Sequence, residues 1–320
     1  MSASQAPALA VLLSTYNGEQ FLPEQLDSLF RQSYEKFVIV VRDDESSDNT
    51  RTVLDHYAEQ YPQRMHLVPV PEEPANTVGK NLGASSSYGF LLQYVLDNKK
   101  RLGLDSAYVL LCDQDDVWVP DKVENQLRQM LDTEQQIGTN KPVLVHSDLR
   151  VVNENLQVIA ESLVRFQSLE TERNRFCQMV VSNLVTGCTA MLNESLARKA
   201  LPFSDRAIMH DWWLALVAAA FGKVIFMDQP LVQYRQHGKN AIGAKEYPRA
   251  SQSWLDVLRR LISLKPNSHL QEVARQAQAF LVQYGKELSP HERKGLQQAC
   301  KMRVPIGHLQ RLAYRRARRF

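Results

Sequence analysis

The feature that most constrains this chain is an alternation repeated through its first half. A short, mostly apolar run is followed by a polar cluster and then by a stretch with helical apolar spacing. The apolar runs are Ala8–Ser14, Phe37–Val41, Met65–Val68, Ala107–Cys112 and Val143–His146. Between them, Glu19–Gln32 places Phe21, Leu22, Leu26, Leu29 and Phe30 on one helical face. A second helix starts at a cap, Asp48 or Ser47, and ends near Tyr61; a third covers Gly79–Asn98; Pro120 opens a fourth. Strands that are apolar on both sides must be covered on both faces, which predicts an α/β fold with a Rossmann-like, mostly parallel central sheet flanked by helices. After Asn153 the pattern loosens. Thr186–Leu192, Lys223–Met227 and Leu231–Tyr234 read as strands, Asp211–Phe221 as a buried helix, and the chain from Ser251 onward as helical.

Ligands of such sheets bind at the carboxyl ends of the strands. Three polar clusters fall there: Ser14-Thr15-Tyr16-Asn17, Asp43-Asp44-Glu45, and Asp113-Gln114-Asp115-Asp116. Three carboxylates within four positions repel one another by roughly 1 kcal/mol or more per close pair. A divalent cation with oxygen preference, Mg²⁺ or Mn²⁺, removes that penalty. The competing reading is a solvated acidic turn that caps the next helix; its place at the end of an apolar strand favours metal. The Asp43 loop reads either as turn and cap chemistry or as a hydrogen-bond acceptor for a base or a ribose hydroxyl. His210-Asp211-Trp212-Trp213 opens a buried helix, where a carboxylate is stabilised by the helix dipole, so Asp211 is either a cap or a general base. Arg235 and His237 follow a strand and suit a diphosphate or its metal, or form a surface turn.

Charge is unevenly spread. Residues 249–320 hold 15 Lys and Arg against 4 Asp and Glu, a net of +11, which leaves −8 on the first 248 residues of a chain whose total is +3. Residues 301–320 contain Lys301, Arg303, Arg311, Arg315, Arg316, Arg318 and Arg319, no acid, and interleaved apolar residues. That is the pattern of a basic amphipathic helix suited to anionic lipid, or of a solvated terminal helix. No recognition motif accompanies the charge, so nucleic acid is not an expected partner. The four cysteines form no CxxC pair, no signal-peptide pattern follows Met1, and no run reaches about 18 apolar residues. The expectation is a reduced cytoplasmic chain, peripheral on the inner face of the plasma membrane.

Five stretches in order resemble glycosyltransferase family 2, the inverting enzymes of GT-A fold: VLLSTYNGEQFLPEQLDSLFRQSY (11–34), VIVVRDDESSDNT (38–50), YVLLCDQDDVWVPDKVENQL (108–127), HSDLRVVNENL (146–156) and MHDWWLALVAAAFGKVIFMDQPLVQYRQHGKN (209–240). The nearest resemblance is to bacterial rhamnosyltransferase-like members that build lipopolysaccharide or capsule glycans. The resemblance implies a GT-A domain over 1–245 and a basic helical C-terminal extension over 246–320. It implies a nucleotide-sugar donor, with dTDP-rhamnose one candidate, and a glycan or lipid-linked saccharide acceptor. Ser14, Tyr16, Asp43, Lys80, Asn81, Asp113 and Arg235 would contact the donor, Asp115 and His237 would hold the metal, and Asp211 would be the catalytic base. One departure stands out: Glu45 occupies the position after the paired aspartates where the family often has Gly.

Two other readings compete. An apolar strand ending in Asp-x-Asp also fits a haloacid-dehalogenase-like phosphatase with Asp113 as nucleophile, although that motif belongs on a first strand and three strand–helix units precede it here. A non-catalytic nucleotide-sugar-binding protein would keep the strand-end loops and need no base.

Overall fold

The computed structural model describes residues 6–68, 82–238 and 266–320. Its strands are β1 (Leu9–Thr15), β2 (Phe37–Asp43), β3 (Met65–Leu67), β4 (Tyr108–Cys112), β5 (Val117–Trp118), β6 (Val143–Val152), β7 (Val158–Ala160), β8 (Ala190–Leu192) and β9 (Lys223–Arg235). The helices are α1 (Leu22–Phe30), α2 (Thr50–Gln60), α3 (Gly83–Asp97), α4 (Lys122–Ile137), the single turns α5 (Leu163–Phe166) and α6 (Phe176–Met179), α7 (Glu194–Ala200), α8 (His210–Phe221), α9 (Ser268–Tyr284), α10 (Pro290–Cys300) and α11 (Gly307–Ala317).

All nine strands join one sheet in the order β3-β2-β1-β4-β8-β6-β9-β5, with β7 beside β6. Pairing from β3 through β4 is parallel, as the strand–helix alternation predicts. Beyond β4 the sheet is mixed: β8 runs antiparallel to both β4 and β6, β9 is parallel to β6, and β5 is antiparallel to β9. Alternate side chains of each strand enter opposite layers. Leu9, Val11 and Leu13 of β1 pack with Leu22, Leu26, Leu54, Val123 and Leu127 under α1, α2 and α4. Ala10 and Leu12 face Leu91, Trp213, Phe280 and Leu296, a layer built by α3, α8 and the C-terminal helices.

Two elements differ from their sequence expectations. Lys223–Met227 and Leu231–Tyr234, expected as separate strands, are one strand that passes through Pro230. The register against β6 shifts beside Asp148, opposite Pro230, so the proline occupies an irregularity where its missing N–H is tolerated. Thr186–Leu192, expected as strand throughout, is a 3₁₀ turn at Gly187–Thr189 followed by β8. The expected boundary at 245/246 lies outside the described residues. The helices after it share a core with α8: the Trp213 ring meets Phe280 edge-on at 5.3 Å. Asn267 caps α9 and is tied to α11 by its N–H to Gln310 Oε1, 2.7 Å. No helix among the described residues is long and apolar enough to cross a membrane.

Candidate active site

The carboxyl ends of β1, β2 and β4 meet at one edge of the sheet. The loop after β1 is latched to the loop after β2: Asn17 N–H donates to Ser46 Oγ (2.8 Å), Gly18 N–H to Thr50 Oγ1 (2.8 Å), and Asn17 Oδ1 accepts from Ser47 N–H (2.8 Å). Both loops turn through left-handed backbone, at Asn17 (φ +47°) and Glu45 (φ +64°). Asn tolerates that region; Glu does so at a cost of roughly 1–2 kcal/mol. The common Gly of the family at this position has its explanation in that angle.

Ser14 lies partly exposed near the end of β1, and the Tyr16 side chain is half exposed. Asp43 accepts from Thr15 Oγ1 (2.8 Å) and from the Ser46 N–H (3.0 Å) and hydroxyl (2.6 Å), so it is held with limited spare acceptor capacity. Its neighbour Asp44 is buried against Arg42 and accepts the N–H groups of Leu82 and Gly83, both at 2.9 Å, at the start of α3. Lys80 and Asn81 lie outside the described residues.

Gln114, the middle residue of the acidic motif, clasps the first loop. Its Oε1 accepts from Tyr16 N–H (2.8 Å) and its Nε2 donates to Tyr16 O (2.9 Å). It sits so close over Gly18 that a Cβ there would be 2.4 Å from Oε1. The flanking carboxylates have distinct surroundings. Asp113 accepts from the Tyr88 hydroxyl at 3.0 Å, and that hydroxyl also reaches Cys112 O at 2.6 Å. Asp115 Oδ2 lies 2.7 Å from His237 Nε2. Asp116 is fully buried; one oxygen accepts Arg235 N–H at 3.1 Å, and Oδ2 has no hydrogen-bond partner among the described residues. Ligand atoms of Asp113, Asp116 and Cys188 lie within 4.8 Å of one another.

Arg235, expected at the donor, lies against the acidic loop with several protein partners. It is 1% exposed. Its guanidinium donates to Asp115 O (Nε, 2.8 Å) and Glu154 O, pairs with Glu24 and lies over the Phe21 ring at 4.5 Å. A guanidinium with this many protein partners braces the acidic loop from beneath. His237, two residues on, has its side chain largely buried beside Asp115, its ring 4.8 Å from Phe21.

Asp211 opens α8 and is 9% exposed. Its Oδ1 accepts from Trp212 N–H (2.5 Å) and Asn183 Nδ2 (3.3 Å), and its Oδ2 accepts from Gly187 N–H (3.1 Å). Oδ1 therefore has both lone pairs engaged, and Oδ2 keeps one for a proton. Gly187 is confined: a Cβ there would lie 3.0 Å from His210 Nε2 and 3.7 Å from Asp211 Oδ2. Burial pushes Asp211 up to about 6, against the lowering effect of its donors. Asp113 is pushed up to about 7 by burial, then by the Asp115 charge, with a further contribution from Asp211. Burial, with Asp115 and Asp113, pushes Asp116 well above the carboxylate range. The acidic loop and the α8 carboxylate thus share one electrostatic neighbourhood. The ring of Tyr88 stacks on His210 at 4.2 Å while its hydroxyl touches Asp113, so a single side chain spans the two.

Asp113, Asp115, His237 and Asp211 were legible as polar residues at element ends. Tyr88, Gln114, Asn183, Gly187 and Cys188 were not. The one available signal was Gln114, a long amide between two carboxylates; the others lie on a helix interior or in a loop with no telling neighbour.

A mixed sheet with a carboxylate cluster at the strand ends and a buried acid at a helix start matches the GT-A fold of solved glycosyltransferases. The Glycosyl transferase family 2 profile matches residues 10–200, and the chain belongs to that family. It is 26% identical over 251 residues to the dTDP-rhamnosyl transferase RfbG of Shigella flexneri, covering 77% of this chain and 79% of that protein. It is 23% identical over 250 residues to the putative teichuronic acid biosynthesis glycosyltransferase TuaG of Bacillus subtilis, covering 78% and 86%. Among solved structures, the mannosyltransferase PcManGT of Pyrobaculum calidifontis, in complex with GDP-Man and Mn²⁺, superposes with a TM-score of 0.54 at 17% identity, over 98% of this chain and 74% of that one. The chain is therefore a glycosyltransferase, which removes the phosphatase and the non-catalytic binding protein as readings.

Proposed function

We propose that the protein transfers a sugar, with inversion, from a nucleoside-diphosphate donor to a hydroxyl of a glycan or lipid-linked saccharide during cell-surface polysaccharide synthesis. The observation that carries this reading is the meeting of the Asp113–Asp116 loop with Asp211 in one site, spanned by Tyr88. Ser14, Tyr16 and Asp43 would line the nucleoside pocket on the latched β1 and β2 loops, and Asp113 would face the ribose. Asp211 would take the proton of the acceptor hydroxyl through Oδ2 as the hydroxyl attacks the anomeric carbon, while the bond to the diphosphate breaks on the opposite face. Similarity to RfbG makes dTDP-rhamnose the first donor to try.

The donor set fits a divalent cation. Asp115 Oδ2 and His237 Nε2 stand side by side at 2.7 Å, a carboxylate oxygen and an imidazole nitrogen that suit Mn²⁺ or Mg²⁺, with the Mn²⁺ in PcManGT as further support. When bound, the ion would neutralise charge developing on the diphosphate. Arg235 would keep Asp115 in place from below and leave the phosphates to other groups.

The decisive experiment separates the two carboxylate tasks. Asp211→Asn should lower sugar transfer by about 10²–10⁴-fold and leave donor binding intact. Asp115→Ala or a chelator should weaken donor binding itself. Transfer near the original rate in Asp211→Asn removes Asp211 as base, and full activity in chelator removes the metal.

We further propose that residues 301–320 rest on anionic lipid. Ile306, Leu309 and Leu312 are 40–45% exposed and share the outer side of α11 with exposed Arg315, Arg316 and Arg319, while Gln310, Ala313 and Ala317 face the body. Apolar residues ringed by arginine, with no acid nearby in sequence, match the chemistry of a negatively charged bilayer surface.

A further inference from the structure

A cleft of about 570 Å³ opens between the 167–184 segment and α11, within the range of roughly 300–1,000 Å³ usual for small-molecule sites. Its wall on one side is Tyr314 of α11 and Arg318 just past the end of that helix; on the other are Gln178, Ser182 and Leu184. Ser182 and Leu184 flank Asn183, whose Nδ2 donates to Asp211 Oδ1. Near Gln178, Met179 O accepts the Trp212 indole N–H at 2.7 Å, so the same segment is pinned to the start of α8 at Asp211 and at Trp212. The opposite wall is fixed as well: Gln310 of α11 donates to Met302 O and Asn267 O, both at 3.0 Å. One wall of the cleft is thus a single residue away from the side chain that touches Asp211.

We infer that this cleft holds a sugar unit of the acceptor, with Tyr314 of the C-terminal helix as its platform. The inference rests on the glycosyltransferase reading with Asp211 as base. The lining suits a neutral polyhydroxylated ring better than an anion. Glu170, also in the wall, pairs with both cations there, Arg173 at 2.9 Å and Arg318 at 3.2 Å, so each guanidinium already has a carboxylate partner. Gln178 Oε1 is buried without a hydrogen-bond donor among the described residues, and a ring hydroxyl reaching it would supply one. Aromatic faces flanked by hydroxyl and amide side chains give a sugar both its apolar and its polar contacts.

The test uses the full-length protein and saturation-transfer NMR with the methyl glycosides of rhamnose, glucose, galactose and N-acetylglucosamine as probes. At least one glycoside should bind. Its affinity should fall by about tenfold or more in Tyr314→Ala, return in Tyr314→Phe, and vanish in Ser182→Phe, which fills the cleft. Melting curves confirm that each variant is folded. Binding of no glycoside, binding indifferent to both Tyr314→Ala and Ser182→Phe, or displacement of the glycoside by inorganic pyrophosphate overturns the inference. Thermal stabilisation by nucleotide sugars with Mn²⁺ is measured in parallel. If no donor binds while a glycoside does, the transferase mechanism fails and the cleft stands; donor binding with no glycoside binding is the reverse.

Discussion

At the scale of the residue, the environment of Asp211 sets a pH limit. Burial raises its folded-state value to about 6, above the usual 3.8, and only the ionised form can accept a proton. The transfer rate is expected to fall about tenfold per pH unit below about 6 and to level off above it. A pH–rate profile that stays flat down to pH 5 would count against Asp211 as the base. Glu45 offers a stability test. Its φ of +64° is a conformation that glycine adopts without the side-chain penalty. Glu45→Gly should therefore raise unfolding free energy by about 1 kcal/mol, less the extra chain entropy of glycine, as read from denaturant titration. A loss of stability would show that the Glu45 side chain makes a compensating contact. Both residues lie in stretches that the sequence marked, yet neither property could be read there: a raised carboxylate needs the burying neighbours, and a left-handed turn needs the backbone.

At the scale of the element, the loop from Asp113 to Asp116 depends on β9. The Arg235 side chain holds it through Asp115 O and is itself anchored on Glu154 O and Glu24, and replacing that side chain by Met removes charge-assisted bonds worth about 1.5–3 kcal/mol each, while the backbone N–H to Asp116 stays. Arg235→Met should lower the melting temperature markedly and weaken donor binding with it; an unchanged melting temperature with weaker donor binding would return Arg235 to the phosphates. The strands were legible because each is an apolar run between polar clusters, and the parallel half of the sheet follows from that spacing. The antiparallel insertion of β8 was not, because three residues, Ala190–Leu192, carry no periodicity of their own. Lys223–Met227 and Leu231–Tyr234 likewise read as two strands, and the register shift at Asp148, opposite Pro230, explains how one strand continues through both. Of the site, the carboxylates announce themselves by crowding. Tyr88 and Asn183 matter through what they touch across 25 and 28 positions, which no local pattern encodes.

At the scale of the whole molecule, the C-terminal helices belong to the same core as α8 and carry an outward basic and apolar face on α11. Flotation with phosphatidylglycerol vesicles should recover the full chain and not a variant with Leu309, Leu312, Arg315 and Arg316 replaced by Ser or Gln, and the difference should shrink with salt. Equal recovery of both would remove the lipid role. The bracing of the acidic loop has a different consequence, for the order in which the molecule is made. The contacts from Arg235 and His237 to Asp115 and Asp116 close loops of 119 to 122 residues, a closure that costs about 4 kcal/mol in chain entropy. During synthesis the nucleotide-side strands emerge first and can pair early, but the acidic loop has no brace until β9 has been translated and has entered the sheet. A nascent chain therefore passes through a long interval in which it is partly folded with its acidic loop unbraced, an interval that lasts at least until Arg235 and His237 have left the ribosome.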